Sequence, residues 1–182
     1  MGLPRTPSQT VGPFFSFALP YEGGAQLVAA GTPGAIRIEG RLLDGQGEPV
    51  PDGLIEILQA DPSGRFVRSN GEPGAFRGFG RSRTGSEGEY HFATLKPGSV
   101  PYADGRPQAP HIEVVVFARG LLKHLVTRMY FPDEEAANAV DPVLSSIPDP
   151  DVRSTLVARD EGGVLVFDIH LQGDRETAFF AA

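Results

Sequence analysis

Seven short runs rich in Val, Ile, Leu and Phe, each closed off by Gly, Pro, Asp or Ser, limit what this chain can fold into. The first alternates apolar and polar residues from Ile36 in AIRIEGRLLDGQGEPV and then meets the turn pair Asp44-Gly45. The others are GLIEILQAD (53–61), GFGRSRT (78–84), EYHFATL (89–95), HIEVVVFA (111–118), KHLVTRMYF (123–131) and GVLVFDIHL (163–171). β-Branched and aromatic side chains suit a pleated, half-buried surface, so each run reads as a strand. The 23 glycines and 17 prolines punctuate these runs without diluting them, which separates the chain from a disordered one. Only DEEAANAV (133–140) and DPDVRSTLVA (149–158) read as short helices, each opened by an aspartate suited to an N-cap. Many short strands with few helices predict an all-β chain, an antiparallel β-sandwich with short helices. Residues 1–34 carry Phe14, Phe15, Phe17 and Tyr21 without a sustained period, and are expected to form an extended N-terminal arm lying on another surface. Residues 35–182 are expected to form the sandwich domain.

Charge and composition narrow the function. A chain of 182 residues is large enough for one domain with a substantial core. Sixteen basic against 23 acidic residues give a net charge of −7, which speaks against nucleic acid and anionic lipid as partners. With no cysteine there is no disulfide, thiolate metal site or cysteine nucleophile, in keeping with a reducing compartment. The first residues lack the pattern of a secretory signal and no run reaches membrane-spanning length, so the expectation is a soluble cytoplasmic chain with no membrane partner.

Chemistry concentrates in APHIEVVVF (109–117). Side chains alternate along a strand, so His111 and Glu113 share a face with α-carbons roughly 6.5–7 Å apart, a spacing that suits two ligands of one ion. Two ligands do not make a catalytic site, and the other histidines (His91, His124, His170) are scattered. On pattern alone a metal site and a hydrogen-bonded structural histidine both remain open, as does an autonomous site using His111, Glu113 and Tyr102. No serine sits in a G-x-S-x-G elbow and no glycine-rich loop opens a helix.

TPSQTVGPFF (6–15), LIEILQADPSGRF (54–66), LKPGSVP (95–101), APHIEVVVFARG (109–120), HLVTRMYFPDE (124–134) and FDIHLQGDRETAFF (167–180) resemble, in order, the intradiol ring-cleaving dioxygenases. That resemblance implies a β-sandwich enzyme holding ferric iron on two tyrosines and two histidines. It implies a reaction in which O2 opens a catechol-type ring between its hydroxyls. The first family tyrosine closes a segment like W-Q-A-x-x-x-G-x-Y, and here LQADPSGRF ends in Phe66. The second belongs to P-G-P-Y-P-W, and here PGSVPYADGRPQAP puts Val100 at its place, with Tyr102 displaced nearby. The histidine pair H-I-H is His111-Ile112-Glu113. Of four ligands only His111 remains, so Phe66, Val100, His111 and Glu113 are expected to be vestigial metal positions, with no catalytic residue and no metal held by this chain.

The resemblance is to alpha subunits of heteromeric members, whose iron-bearing beta subunit is the expected partner and whose substrate is a small aromatic acid, 3,4-dihydroxybenzoate. It implies that Thr10, Gly12 and Pro13 form the roof of the partner's pocket, and that Arg128 faces the substrate. Gly12 allows close backbone approach, Pro13 stiffens it and Thr10 adds a hydroxyl. A guanidinium at the pocket edge can bind a benzoate carboxylate through paired charge-assisted hydrogen bonds. Tyr130 and His124 are expected on the face of Arg128 as buttresses. The alternative is a non-enzymatic β-sandwich binding or structural module on the same scaffold.

Overall fold

The computed structural model describes residues 8–12, 15–67 and 75–181. Pro13 and Phe14 therefore lie outside the described residues. After a single helical turn α1 (Phe15–Ala18), the strands are β1 (Ala35–Leu43), β2 (Leu54–Leu58), β3 (Phe79–Arg83), β4 (Glu89–Leu95), β5 (Val100–Pro101) and β6 (Pro107–Gln108). They continue as β7 (His111–Phe117), β8 (Leu125–Tyr130), β9 (Arg159–Asp160), β10 (Val164–Val166) and β11 (Ile169–His170). Helices α2 (Glu135–Val140) and α3 (Pro150–Ser154) interrupt them after β8.

Two sheets face each other, as the run pattern predicts. One has the order β3-β2-β7-β8, antiparallel throughout; the other is built around β1, which pairs antiparallel with β4 and parallel with β10 and β11. Ile55, Ile57, Ile112, Val114, Val116 and Met129 from the first sheet meet Ile38, Leu42, Tyr90, Phe92, Phe167 and Ile169 from the second in one core. Alternation decides which residues these are: β7 buries Ile112, Val114 and Val116 on the inner face and turns His111, Glu113, Val115 and Phe117 to the outer one.

The single strand expected over 163–171 is one ladder with an interruption. Arg37 lies opposite Val164 and Leu42 opposite Ile169, so the register continues, but Phe167 and Asp168 fall out of the strand. The cause is local. The Phe167 carbonyl turns over Gly40 to accept a 2.5 Å hydrogen bond from the buried Tyr90 hydroxyl, and the Asp168 carboxylate accepts from the Arg41 amide. A Cβ at Gly40 would stand 2.0 Å from that carbonyl oxygen, so only glycine fits beneath it.

The local expectations hold in part. Asp149 caps α3, accepting from the Asp151 amide. Asp133 caps nothing: a 3-10 turn opens at Pro132, and Asp133 instead pairs with Lys96 at 2.7 Å. Within residues 1–34, the stretch around Leu27 is folded onto the sandwich, with the Leu27 amide donating to the Ala93 carbonyl and its own carbonyl accepting from the Arg77 amide. Of the arm's described aromatics Phe15 is buried in this chain, while Phe17 is largely and Tyr21 partly exposed; at the other end of the sequence Phe179 and Phe180 pack on the chain's own core. Among the described residues no helix is long and apolar enough to cross a membrane.

Replacing Gly40 by alanine is expected to cost about 1–3 kcal/mol, the range for overpacking a filled interior, because the Phe167 carbonyl must move and release Tyr90. Chemical denaturation of Gly40→Ala beside the parent chain measures it.

Candidate functional site

The loop that follows β2 carries Phe66 and packs on the segment that carries Val100, two of the positions expected to be vestigial. The Asp61 carboxylate accepts from the Ser63 amide (2.8 Å), the Ser63 hydroxyl (2.6 Å) and the Arg65 amide (3.0 Å), an Asx-type turn that ties down the residues before Phe66. The Ser63 hydroxyl and the Arg65 amide hold the Asp61 carboxyl down to a pKa of about 2. The turn lies on the backbone leading into β5: the Gly98 amide donates to the Asp61 carbonyl, and a Cβ at Gly64 would meet the Ser99 carbonyl oxygen at 2.1 Å. Phe66, at the end of this turn, is 59% exposed, while Val100 is buried. Tyr102 sits in the turn of the β5–β6 hairpin, exposed over 39% of its surface.

His111 and Glu113 stand on the outer face at the start of β7. The His111 ring is buried, its Nδ1–H donating to the Ala109 carbonyl at 2.8 Å, which leaves Nε2 directed at Glu113 Oε1, 3.6 Å away. A carbonyl can only accept, so Nδ1 must carry a proton. Across the ladder Glu113 lies opposite Arg128, and their Oε1 and Nη2 atoms are 2.7 Å apart. Arg128 Nη1 donates to Gln108 Oε1 at 2.7 Å and reaches the Tyr130 hydroxyl at 3.4 Å. Tyr130 donates in turn to Asp141, whose other oxygen accepts from the Ala109 amide at 2.8 Å. The chain of contacts runs from the β6–β7 junction through β8 to the segment after α2.

Electrostatics follow from this packing. Burial works to raise the Glu113 pKa, but His111 and the Arg128 charge outweigh it and the carboxyl titrates lower than usual. For Arg128 burial opposes the charge, and the Tyr130 hydroxyl and Glu113 more than restore it. Burial, joined by Asp141, pushes the Tyr130 phenol up against the opposing contact with Arg128. The group is an ionised pair with a neutral phenol, not a set of open donors.

The structure does not bring all the expected site residues into one place. Thr10 accepts a hydrogen bond from the Gly120 amide at 3.2 Å, so the Thr10–Gly12 stretch lies by the 118–124 loop. That loop is at the far end of β7 from Glu113, about 13 Å along a strand of this rise. Gln9 and Val11 line a cavity of about 390 Å³ there with Phe117, Leu121 and His124. Of the two expected buttresses, Tyr130 touches Arg128, whereas His124 stacks near Phe117 at 5.6 Å between ring centres. Gln108 and Asp141 were not singled out by the sequence. Asp141-Pro142 announces a turn, and Asp141 does accept from the Val143 and Leu144 amides, but nothing local announces its bonds to Ala109 and Tyr130.

A family model described as Dioxygenase matches residues 11–173. This chain belongs to the dioxygenase family. It is 41% identical to the protocatechuate 3,4-dioxygenase alpha chain of Pseudomonas putida, over 98% of this chain and 96% of that one. It is 37% identical to the beta chain of the same enzyme from Burkholderia cepacia, over 76% of this chain and 64% of that one. Among solved structures, the dioxygenase domain of a dioxygenase carbohydrate-binding protein fusion from Streptomyces sp. SirexAA-E superposes with a TM-score of 0.60 at 27% identity, covering 92% of this chain and 98% of that one. The β-rich fold, the family and the ring-cleaving oxidoreductase class thus agree with the reading of the motifs.

Ferric iron, the metal this family implies, does not fit the donors present. A hard cation needs anionic oxygens, and its four positions hold a phenyl ring, a buried isopropyl group, one imidazole and a carboxylate already paired with Arg128. Among the described residues no three His, Cys, Asp or Glu side chains converge.

The Asp61 turn gives a pH signature. Its folded pKa lies below the 3.8 of a free aspartate, so the stability it adds is present above about pH 4 and lost as pH falls towards 2. Asp61→Ala is expected to lose about 1 kcal/mol at pH 7, a figure discounted for solvent screening, with the gap to the parent chain closing below pH 3 in acid-unfolding curves.

Proposed function

We propose that this chain serves as the alpha subunit of a protocatechuate 3,4-dioxygenase and completes the substrate pocket of an iron-bearing beta subunit. The observation that carries the reading is end-to-end similarity to an alpha chain, combined with ligand positions that no longer offer a ferric ion its phenolates. Iron on the partner supplies the chemistry by which O2 opens the ring of 3,4-dihydroxybenzoate between its hydroxyls to give 3-carboxy-cis,cis-muconate. The residues of this chain bind, orient and enclose.

The outer face of the β3-β2-β7-β8 sheet is the surface assigned to the partner. It presents Leu58 and Phe79 in part to solvent beside the Arg81–Glu56 pair, an apolar centre with a charged rim of the kind that subunit interfaces bury. Thr10, Gly12 and Pro13 are assigned to the roof of the partner's pocket. Gly12 supports this: its φ is +78°, and a Cβ built on it meets nothing within 4 Å in this chain, so packing inside the chain does not demand a glycine there. Arg128 is assigned to the substrate's carboxylate, which would share the guanidinium with Glu113.

Coexpression with a beta chain carrying two tyrosine and two histidine ligands tests the reading. Iron is expected in the assembly, with oxygen uptake on protocatechuate that neither chain shows alone. Ring cleavage by the isolated chain described here would sink the proposal. Within the assembly, Arg128→Ala is expected to weaken protocatechuate by at least tenfold more than catechol, because the lost hydrogen bonds to a charged group contribute about 1.5–3 kcal/mol; equal losses would remove the carboxylate role. Gly12→Asn, whose side chain tolerates the left-handed backbone at φ +78° better than any β-branched residue, is expected to cut activity severalfold while lowering the melting temperature of the isolated chain only slightly.

A further inference from the structure

We infer that the guanidinium of Arg128 stands in for the missing metal, an internal cation that fills the vacated site and keeps divalent ions out of it. This rests on the reading that the chain carries no iron of its own.

The argument starts from what the site has kept. The Nδ1–H of His111 donates to the Ala109 carbonyl, the orientation by which proteins direct the other imidazole nitrogen at a metal. The other ring nitrogen, Nε2, faces Glu113 Oε1 at 3.6 Å. A half-buried carboxylate beside that ring needs a cation to balance its charge. The cation present is Arg128, delivered from the opposite strand by the Glu113–Arg128 register and 2.7 Å from the carboxylate.

The cation is also secured from behind. Gln108 and Tyr130 accept from Nη1, and Asp141, fully buried, holds both the Tyr130 hydroxyl and the Ala109 amide whose residue orients His111. The same two donors and the same cation are therefore fixed by one hydrogen-bonded chain. A divalent ion entering between His111 and Glu113 would have to displace a positive charge that this chain holds in place. Among the described residues, the ion-pair and hydrogen-bond contacts of this cluster involve the acids Glu113 and Asp141 and the bases Arg128 and His111, with Arg106 interacting with Asp141 through its charge.

Zinc titration of the purified full-length chain, read by melting temperature and by metal content after dialysis, tests the inference. The parent chain and Arg128→Lys, which preserves the charge, are expected to show no zinc uptake that depends on His111. Arg128→Met and Arg128→Gln, run together so that a folded uncharged variant is in hand, are expected to bind zinc at least tenfold more tightly than the parent. Adding His111→Ala to either is expected to abolish the gain. A parent chain that binds zinc as tightly as the uncharged variants, uncharged variants no tighter than the parent, or a lysine variant that behaves like them would each overturn the inference. An assembly that cleaves protocatechuate with its partner but fails these outcomes refutes the internal cation alone; iron held and used by this chain by itself refutes the functional reading.

Discussion

The alternation of side chains along β7 governs both the stability and the chemistry of this protein. Ile112, Val114 and Val116 enter the core between the sheets, while His111 and Glu113, one position out of step, stand on the outer face. A one-residue slip of β7 would exchange the two sets and bury the carboxylate in hydrocarbon. Register is held from both sides, by β2 through Leu54 opposite Phe117 and by β8 through His111 opposite Tyr130. The pairing that makes the sandwich is the same pairing that sets Glu113 across from Arg128.

Ion pairs of this kind carry desolvation costs that their attraction only partly offsets, so their value is in what they specify more than in net stability. Here the pair is neither deep nor exposed: the Arg128 side chain keeps 16% and Glu113 27% of its surface. That degree of access leaves the guanidinium within reach of a neighbouring surface.

The sequence makes the strands legible because each run is short, alternating and bounded by turn residues; all seven appear where expected, and the break at Phe167 is invisible because it depends on Gly40 and Tyr90 from distant strands. Asp149 behaves as a cap because capping is local, whereas Asp133 is claimed by Lys96, a residue 37 positions away. The letters set against the family's ligand motifs, Phe66, Val100, His111 and Glu113, can be read one by one. Gln108 and Asp141 cannot, since their roles exist only after β6, β8 and the segment after α2 have met. The separation of Thr10 from Arg128 is likewise a product of strand direction, which no motif encodes.

Both margins of the β3-β2-β7-β8 sheet are already spoken for. Along β8 the Phe180 amide donates to Val126, and Tyr130 exchanges hydrogen bonds with Leu156 and Ala158; along β3 the Arg81 amide donates to Gly24. Backbone groups that could template strand addition are thus occupied by the chain's own flanking segments. Extension of the sheet from one molecule into the next is closed off at these positions, which leaves the broad face of the sheet, read by side-chain shape and charge, as the surface open to contact.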